Sequence, residues 1–285
     1  MATEHAAATR RRLRNAGSYV LLTVLSAVIL FPVYTTIVRA VSEPIPYLKS
    51  LQAGGGGLWP VGWDGGVFGR VFRTGDLTHA LLLSAIVSVV IVVGQVLTSI
   101  FAAYAFACLE FPLKRTMFAL VVGTLLLPIE VTLVANIETV RDLGWFNSIQ
   151  GLSAPFLAWA FGVFLMRQAF LGIPGEMQDA ALLDGFSHRR FLFRIAVPIC
   201  RPIIGSCVLI SFLGAWNQYL WPRYAADQQE YQTIQVALRT LATREVTELN
   251  FAFAAAIVAA IPLVVLLVAF QRQIIRGLTA GAVKG

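Results

Sequence analysis

The sequence predicts an all-α polytopic membrane protein with six transmembrane helices and a cytoplasmic helical elbow between the fourth and fifth of them. The 285 residues are 58% hydrophobic and only 13% charged, whereas a soluble domain carries about 25% charged residues. The apolar residues fall in six long runs, and a membrane span needs about 20 of them. So few charged residues provide too little polar surface to cover a water-soluble globule.

The six runs differ in how plainly they indicate a span. Four arginines precede the first run, but its apolar stretch exceeds the roughly 7–15 residues of a secretory signal, which indicates an uncleaved span. The second run is longer than a span requires, which predicts tilting or projection from the bilayer. The predicted spans lie near 17–41, 79–109, 116–134, 152–170, 203–221 and 251–270.

The basic residues predict the orientation. Six spans put both termini on one side, whose segments hold thirteen Lys and Arg residues, against eight on the opposite side. Because basic residues accumulate in cytoplasmic loops, both termini are expected in the cytoplasm, with 271–285 as a cytoplasmic tail. No second soluble domain is recognised, so 1–285 is predicted to be a single transmembrane domain.

Two outside segments and the cysteines complete the outline. The extracytoplasmic loop 42–78 is rich in Gly and Pro, which predicts little regular structure. The polar segment 222–250 is expected to hold a short helix around 235–243. The three cysteines have neither pairing nor metal-binding spacing, which predicts buried apolar side chains without a metal site.

The connection 173–198 predicts two short helices that meet at a glycine. Pro174 suits a helix start, and Glu176 and Asp179 favour the positive end of the helix dipole. Gly185 stands where a left-handed residue is expected after a helix.

The second short helix is predicted from its cap and its spacing. Ser187 can cap it, and Phe191 and Ile195 then share one face at i, i+4. Pro198 is expected to end it.

Two interpretations of this elbow remain open from the residues alone. Ala180, Ala181 and Leu183 are good helix formers with small side chains and suit close docking against a soluble partner. Alternatively, the pair lies on anionic lipid, which Arg189, Arg190 and Arg194 would favour.

The elbow resembles the coupling-loop signature of ABC importer permeases, which reads E-A-A, three residues, G, nine residues, I-x-L-P. The chain matches every spacing, with Asp179 in place of Glu and Val197 in place of Leu as conservative departures. The resemblance implies docking into a groove of a cytoplasmic ATPase. The coupling residues expected on this basis are Glu176, Asp179, Ala180, Ala181, Asp184, Gly185, Ile195 and Pro198.

Further segments, 164–168, 214–222 and 277–285, resemble the maltose-permease-like carbohydrate-uptake branch. Within it, 127–131 and 216–221 are most similar to the sn-glycerol-3-phosphate permeases. The resemblance implies a bacterial plasma (inner) membrane permease that forms half of a pore. Its implied partners are a second permease subunit, two cytoplasmic ATPase subunits, reached by the tail, and an extracytoplasmic solute-binding protein.

No catalysis is predicted in this chain. No G-x-x-x-x-G-K-[ST] occurs, so ATP and Mg²⁺ are expected on the partner ATPases and no cofactor here. Neither H-E-x-x-H nor G-x-S-x-G occurs in the sequence, so no motif indicates an intramembrane enzyme. The net charge of +7 is attributed to topology and anionic lipid, with no nucleic-acid partner.

Polar and aromatic residues within the spans are candidates for a solute path. An ionised carboxylate in lipid is costly, so Glu130 is expected to face a path or a partner helix near the outer rim. Without an inverted repeat, this single acid argues against the alternative of an ion-coupled secondary transporter.

The remaining path candidates are Gln95, Trp216, Asn217 and Gln218. The two amides near the outer end of the fifth span, Asn217 and Gln218, suit solute hydroxyls, with Trp216 stacking on a ring; the alternative is an interfacial aromatic belt that includes Trp221. Gln95 is either on the path or an interhelical hydrogen bond, which is favoured.

Overall fold

The computed structural model describes residues 2–73, 75–243 and 248–282. Arg244, one of the eight basic residues counted on the outer side, therefore lies outside the described residues. The last three residues of the predicted tail do so as well. Over the described ranges the chain is helical and contains no β-strand. The α-helices are α1 Ala2–Ala40, α2 Pro44–Gln52, α3 Val67–Arg73, α4 Gly75–Cys108, α5 Lys114–Gly123, α6 Ile129–Asp142, α7 Ile149–Ser153, α8 Ala160–Leu171, α9 Gly175–Leu183, α10 His188–Phe191, α11 Val197–Ile199, α12 Arg201–Trp216, α13 Leu220–Ala225, α14 Ile234–Ala242 and α15 Leu249–Ala282.

Three helical stretches are long and apolar enough to cross a membrane unbroken: Gly17–Ala40, Asp76–Cys108 and Leu249–Gln271. Three further pairs pass the same test only as bent units. These pairs are Lys114–Leu126 with Glu130–Asp142, Ile149–Phe156 with Ala160–Leu171, and His188–Ile199 with Arg201–Trp216, bent by 103°, 47° and 79°. The described chain thus contains three to six spans.

The third and fourth predicted spans are each interrupted by non-helical backbone. At the third, Leu127 is extended and Pro128 precedes α6, because proline lacks an N–H and its ring disfavours helical backbone in the preceding residue. At the fourth, extended backbone at Trp159 separates the two parts. The fifth run is shorter than expected, since α12 ends at Trp216 and Trp221 belongs to α13.

The chain divides into two compact units, of which the first lies within residues 1–74 and 240–258. The prediction that its loop 42–78 has little regular structure is wrong, because the loop contains the helices α2 and α3. Pro44 stands at the first helical position of α2, where a missing N–H costs nothing.

Asp64 holds the irregular part of this loop in place. Its carboxylate accepts two hydrogen bonds from the Arg70 guanidinium, at 3.2 and 2.5 Å, and one at 2.9 Å from the buried side-chain amide of Asn250. The bonds from Arg70 hold the pKa of Asp64 below its ordinary value, outweighing the burial that would raise it.

The second unit lies within residues 75–239 and 259–285 and is built around α4, which packs along α8 and α12. Cys200 and Cys207 are buried in its core and Cys108 is half-buried; all three are free, as predicted. The predicted helix near 235–243 is confirmed as α14. One core cluster contains Ile100, Tyr104, Met166, Phe170, Ala181, Phe191, Leu192 and Cys207.

Candidate functional site

The elbow 173–198 contains the predicted helix, left-handed glycine and second helix. Gly185 follows α9 with φ of +74°, a backbone conformation that favours glycine. The N–H of Phe186 donates to the carbonyl of Ala181 at 2.9 Å, and the N–H of Gly185 donates to that of Leu182 at 3.0 Å. This pair of bonds is the Schellman arrangement, which satisfies the last carbonyls of the helix.

The second helix begins as predicted and continues further than predicted. Ser187 caps it by accepting a hydrogen bond from the N–H of Arg190 at 3.4 Å. Its backbone then becomes a π-helix over Leu192–Ala196 and runs through Pro198 to Ile199. The expectation that Pro198 ends the helix is therefore wrong, since the wider π-turn leaves room for the proline ring.

The two faces of α9 have opposite roles. Ala181, predicted as a small docking residue, is only 5% exposed and packs in the core cluster. Leu183 is 89% exposed, because two residues turn the helix by about 200°. Ile195 and Pro198 are half-buried, so they pack rather than present a docking surface. The expected coupling residues that are exposed are Glu176, Asp179, Ala180, Asp184 and Gly185.

Sequence reasoning missed the attachment of the elbow to α4. The hydroxyl of Tyr104 lies 3.1 Å from Nδ1 of His188, the first residue of α10. The Tyr104 ring also makes an edge contact with Phe170 of α8, at 6.1 Å between centroids. The side-chain amide of Gln178 in α9 donates to the Cys108 carbonyl at 3.4 Å. Leu183 had a sequence signal, as an apolar residue close to the face of Ala180 and nearly opposite Ala181.

Gln95 is buried and forms hydrogen bonds between helices. Its amide donates to the Phe156 carbonyl at 2.8 Å, and its side-chain oxygen accepts a bond from the hydroxyl of Ser211 in α12 at 2.6 Å. Of the two interpretations of Gln95, these contacts agree with an interhelical hydrogen-bonding role rather than a place on the solute path.

Trp216 and Trp221 are buried, so neither a ring-stacking platform nor an interfacial belt describes them. The indole N–H of Trp216 donates to the Ala259 carbonyl at 3.2 Å. That of Trp221 donates to the Gly151 carbonyl at 3.1 Å. A buried indole needs such a partner, and here distant helices supply it.

The remaining path candidates differ in exposure and in their hydrogen bonds. Asn217 is exposed, and its side-chain oxygen accepts a 3.4 Å bond from Gln235. Gln218 is half-buried, and its side-chain oxygen has no partner among the described residues. Glu130 is exposed in the first turn of α6, without a recorded bond to the other candidates.

No group of three or more His, Cys, Asp or Glu side chains suited to a metal ion occurs within residues 2–73, 75–243 and 248–282.

The family model described as binding-protein-dependent transport system inner membrane component matches residues 81–280. The permease protein UgpE of the sn-glycerol-3-phosphate transport system of Rhizobium meliloti (strain 1021) is 31% identical over 278 residues, covering 94% of this chain and 97% of the relative. The protein of the same name from Yersinia pestis bv. Antiqua (strain Antiqua) is 32% identical over 275 residues, with the same coverage.

Solved structures share the fold. A chain of a bacterial ABC transporter involved in the import of the acidic polysaccharide alginate aligns with a TM-score of 0.79 and 21% identity, over 92% of this chain and 96% of that one. A chain of the bacterial alginate transporter in complex with an alginate-bound periplasmic protein aligns with a TM-score of 0.65 and 15% identity, over 92% and 94%. The family match over residues 81–280 and the near full-length relatives show that this chain belongs to the inner membrane components of binding-protein-dependent transport systems.

Proposed function

We propose that this chain is one permease subunit of an ATP-driven importer and forms half of its translocation pore. Each bent pair contributes one span, with His188–Ile199 of the third pair belonging to the cytoplasmic elbow, so six spans cross the membrane with both termini in the cytoplasm. A second permease completes the pore, two ATPase subunits bind on the cytoplasmic side, and a solute-binding protein delivers cargo from outside. ATP and Mg²⁺ belong to the ATPases, and this chain has no catalytic role and no cofactor.

The observation that supports this proposal most strongly is the elbow. Its tip is exposed around Leu183, while its base is buried through Ala181 and Phe191 in the core cluster. Three exposed apolar side chains on one short, capped helix, Met177, Leu182 and Leu183, suit insertion into a groove of another protein. An elbow that lay on lipid would not need so tight an attachment to the bundle.

The same geometry suggests how the elbow transmits motion. The cluster at its base contains Tyr104 of α4, Met166 of α8 and Cys207 of α12, so a displacement of the tip moves three helices together. Closure of two ATPases would push two such elbows towards each other and switch access by a rigid-body rotation.

The cargo class is carbohydrate or a glycerol-phosphate-type solute. The relatives are named for sn-glycerol-3-phosphate and the solved neighbour for an acidic polysaccharide, and both solutes are anionic. The candidate path residues of this chain are amides and the carboxylate of Glu130, which would repel an anion. An anionic cargo therefore requires a cation from the partner permease, whereas a neutral sugar does not.

Leu183→Asp tests the docking role of the elbow. The full-length chain would be co-expressed with its genomic neighbours and purified in mild detergent. The matched control is Leu113→Asp, which alters a leucine that is 74% exposed, lies at the start of α5 and is outside the elbow. We expect Leu183→Asp to lose the ATPase and keep the second permease, and the control to keep both.

Two results would contradict the proposal. Equal recovery of the ATPase with Leu183→Asp and wild type would remove the elbow as its docking site. A wild-type chain that purifies alone and transports solute without ATP would favour an ion-coupled secondary transporter instead.

A further inference from the structure

A cleft with three basic side chains lies between the end of α4, the start of α5 and the second half of α8. Its volume is about 330 Å³, equal to that of roughly ten water molecules at about 30 Å³ each. It therefore has room for a phosphate group. We call it the basic cleft; its lining residues are Phe106, Glu110, Lys114, Arg115, Phe118 and Arg167.

Arg167 forms the half-buried wall of the basic cleft. Its Nε–H donates to the Phe106 carbonyl at 3.1 Å, and its guanidinium lies 4.2 Å from the centroid of the Phe118 ring. A guanidinium carries five N–H donors, and those on the two terminal nitrogens of Arg167 have no hydrogen-bond partner among the described residues. Within the described part of the chain, no carboxylate forms an ion pair with Arg167.

Lys114 and Arg115 supply the other two charges. Lys114 Nζ donates to the Leu109 carbonyl at 2.7 Å and lies 3.3 Å from the Glu110 carboxylate, whose side chain is 93% exposed. Such an exposed pair is weak. Arg115 is exposed and has no recorded partner among the described residues. Three cations against one acid leave the basic cleft with two net positive charges.

Capping of α4 accounts for only part of this charge. The last carbonyls of a helix need donors and favour nearby cations, and Arg167 and Lys114 each give one donor to that end. This role uses one of the five donors of Arg167 and none of Arg115. The basic cleft therefore has more positive charge and more free donors than the helix end requires.

We propose that the basic cleft binds a phosphate group, supplied by the headgroup of an anionic phospholipid. The neighbouring surface of α5 is apolar and exposed at Met117 and Leu120, which suits the acyl chains of the same lipid. In the orientation proposed above, the basic cleft faces the cytoplasmic leaflet, where basic pockets between transmembrane helices bind phosphate headgroups. A soluble phosphate shares the headgroup chemistry but makes no use of this apolar surface.

Lipid retention by the full-length chain, purified with its accompanying subunits, tests the proposal. Native mass spectrometry would compare phosphatidylglycerol with zwitterionic phosphatidylcholine, each titrated from mixed micelles. We expect Arg115→Gln to weaken phosphatidylglycerol binding about fivefold, and Lys114→Gln with Arg115→Gln about 25-fold. The matched control is Arg201→Gln, which removes an exposed charge at the start of α12, outside the basic cleft.

A parallel titration with inorganic phosphate distinguishes the two sources. Retained phosphatidylglycerol that millimolar phosphate does not displace supports the lipid headgroup. Displacement by phosphate at that concentration would overturn the lipid assignment and make soluble phosphate the ligand. Equal binding of both lipids, or equal weakening by Arg201→Gln, would overturn the basic cleft as a phosphate site. Arg115→Gln alone keeps the test valid should the double variant fail to fold, because Arg115 has no recorded packing or bonding role.

Discussion

Replacing Gly185 by alanine isolates the backbone strain at the turn of the elbow from any steric clash. A Cβ at Gly185 meets no atom within 4 Å, so the added methyl group itself fits. The φ of +74° is the only source of cost, and a left-handed conformation costs an alanine about 1–2 kcal/mol. That energy shifts the local equilibrium away from the native turn by about 5- to 30-fold.

Two further substitutions serve as controls for this prediction. A Cβ at Gly175 also meets nothing within 4 Å and φ there is not positive, so Gly175→Ala is expected to leave the elbow unchanged or stabilise α9 slightly. Gly185→Asn is expected to cost less than alanine, because asparagine tolerates the left-handed region.

The assay is solute-stimulated ATP hydrolysis in proteoliposomes that contain the chain and its partner subunits. We expect the ranking wild type and Gly175→Ala first, then Gly185→Asn, then Gly185→Ala, with equal yields of folded protein. Equal activity of the two alanine variants would refute the reasoning, because both sites have open space for a Cβ and only Gly185 has a left-handed backbone. A Gly185→Asn variant as impaired as Gly185→Ala would also count against it.

Two predictions concern polar contacts away from the elbow. Ser211→Ala leaves the buried Gln95 oxygen without its donor, which costs about 1–3 kcal/mol of folding stability. Combining it with Gln95→Leu should cost less than the sum of the two single changes, as measured by thermal unfolding in detergent. Additive costs would contradict this coupling. The lowered pKa of Asp64 stabilises the folded state above the ordinary Asp value of 3.8, and this contribution is lost as the pH falls through the lower folded pKa. The stability difference between wild type and Asp64→Asn should therefore be constant near neutral pH and shrink in acid; a difference that grows in acid would contradict the sign.

The features predicted correctly from the sequence are those determined by local chemistry. Long apolar runs identify α1, α4 and α15 because their composition alone excludes water. The roles of Gly185 and Ser187 follow from the sequence because one helix end needs a left-handed residue and the next helix start needs a capping oxygen. These requirements depend on residues within one or two helical turns.

The errors arise where distant residues decide the outcome. Trp216 and Trp221 look like interfacial residues in the sequence, yet their N–H partners lie 43 and 70 residues away. Ala181 and Ala180 are chemically alike, and only the packing of α9 buries one and exposes the other. The Gly and Pro content of loop 42–78 indicates turns, but Pro44 occupies the one helical position that tolerates it.

The attachment of the elbow determines what any force on its tip can do. Ala181, Phe191 and Leu192 share one core cluster with residues of α4, α8 and α12. Packed cores resist continuous deformation, so displacement at Leu183 is expected to move these three helices together rather than bend α9 against them. The turn at Gly185 joins the two helices of the elbow, and a Cβ there would meet no atom within 4 Å. A strained residue there should impair coupling more than an equal loss of stability elsewhere, which is why Gly185→Ala and Ser211→Ala, with similar energetic costs, are expected to differ in ATP hydrolysis.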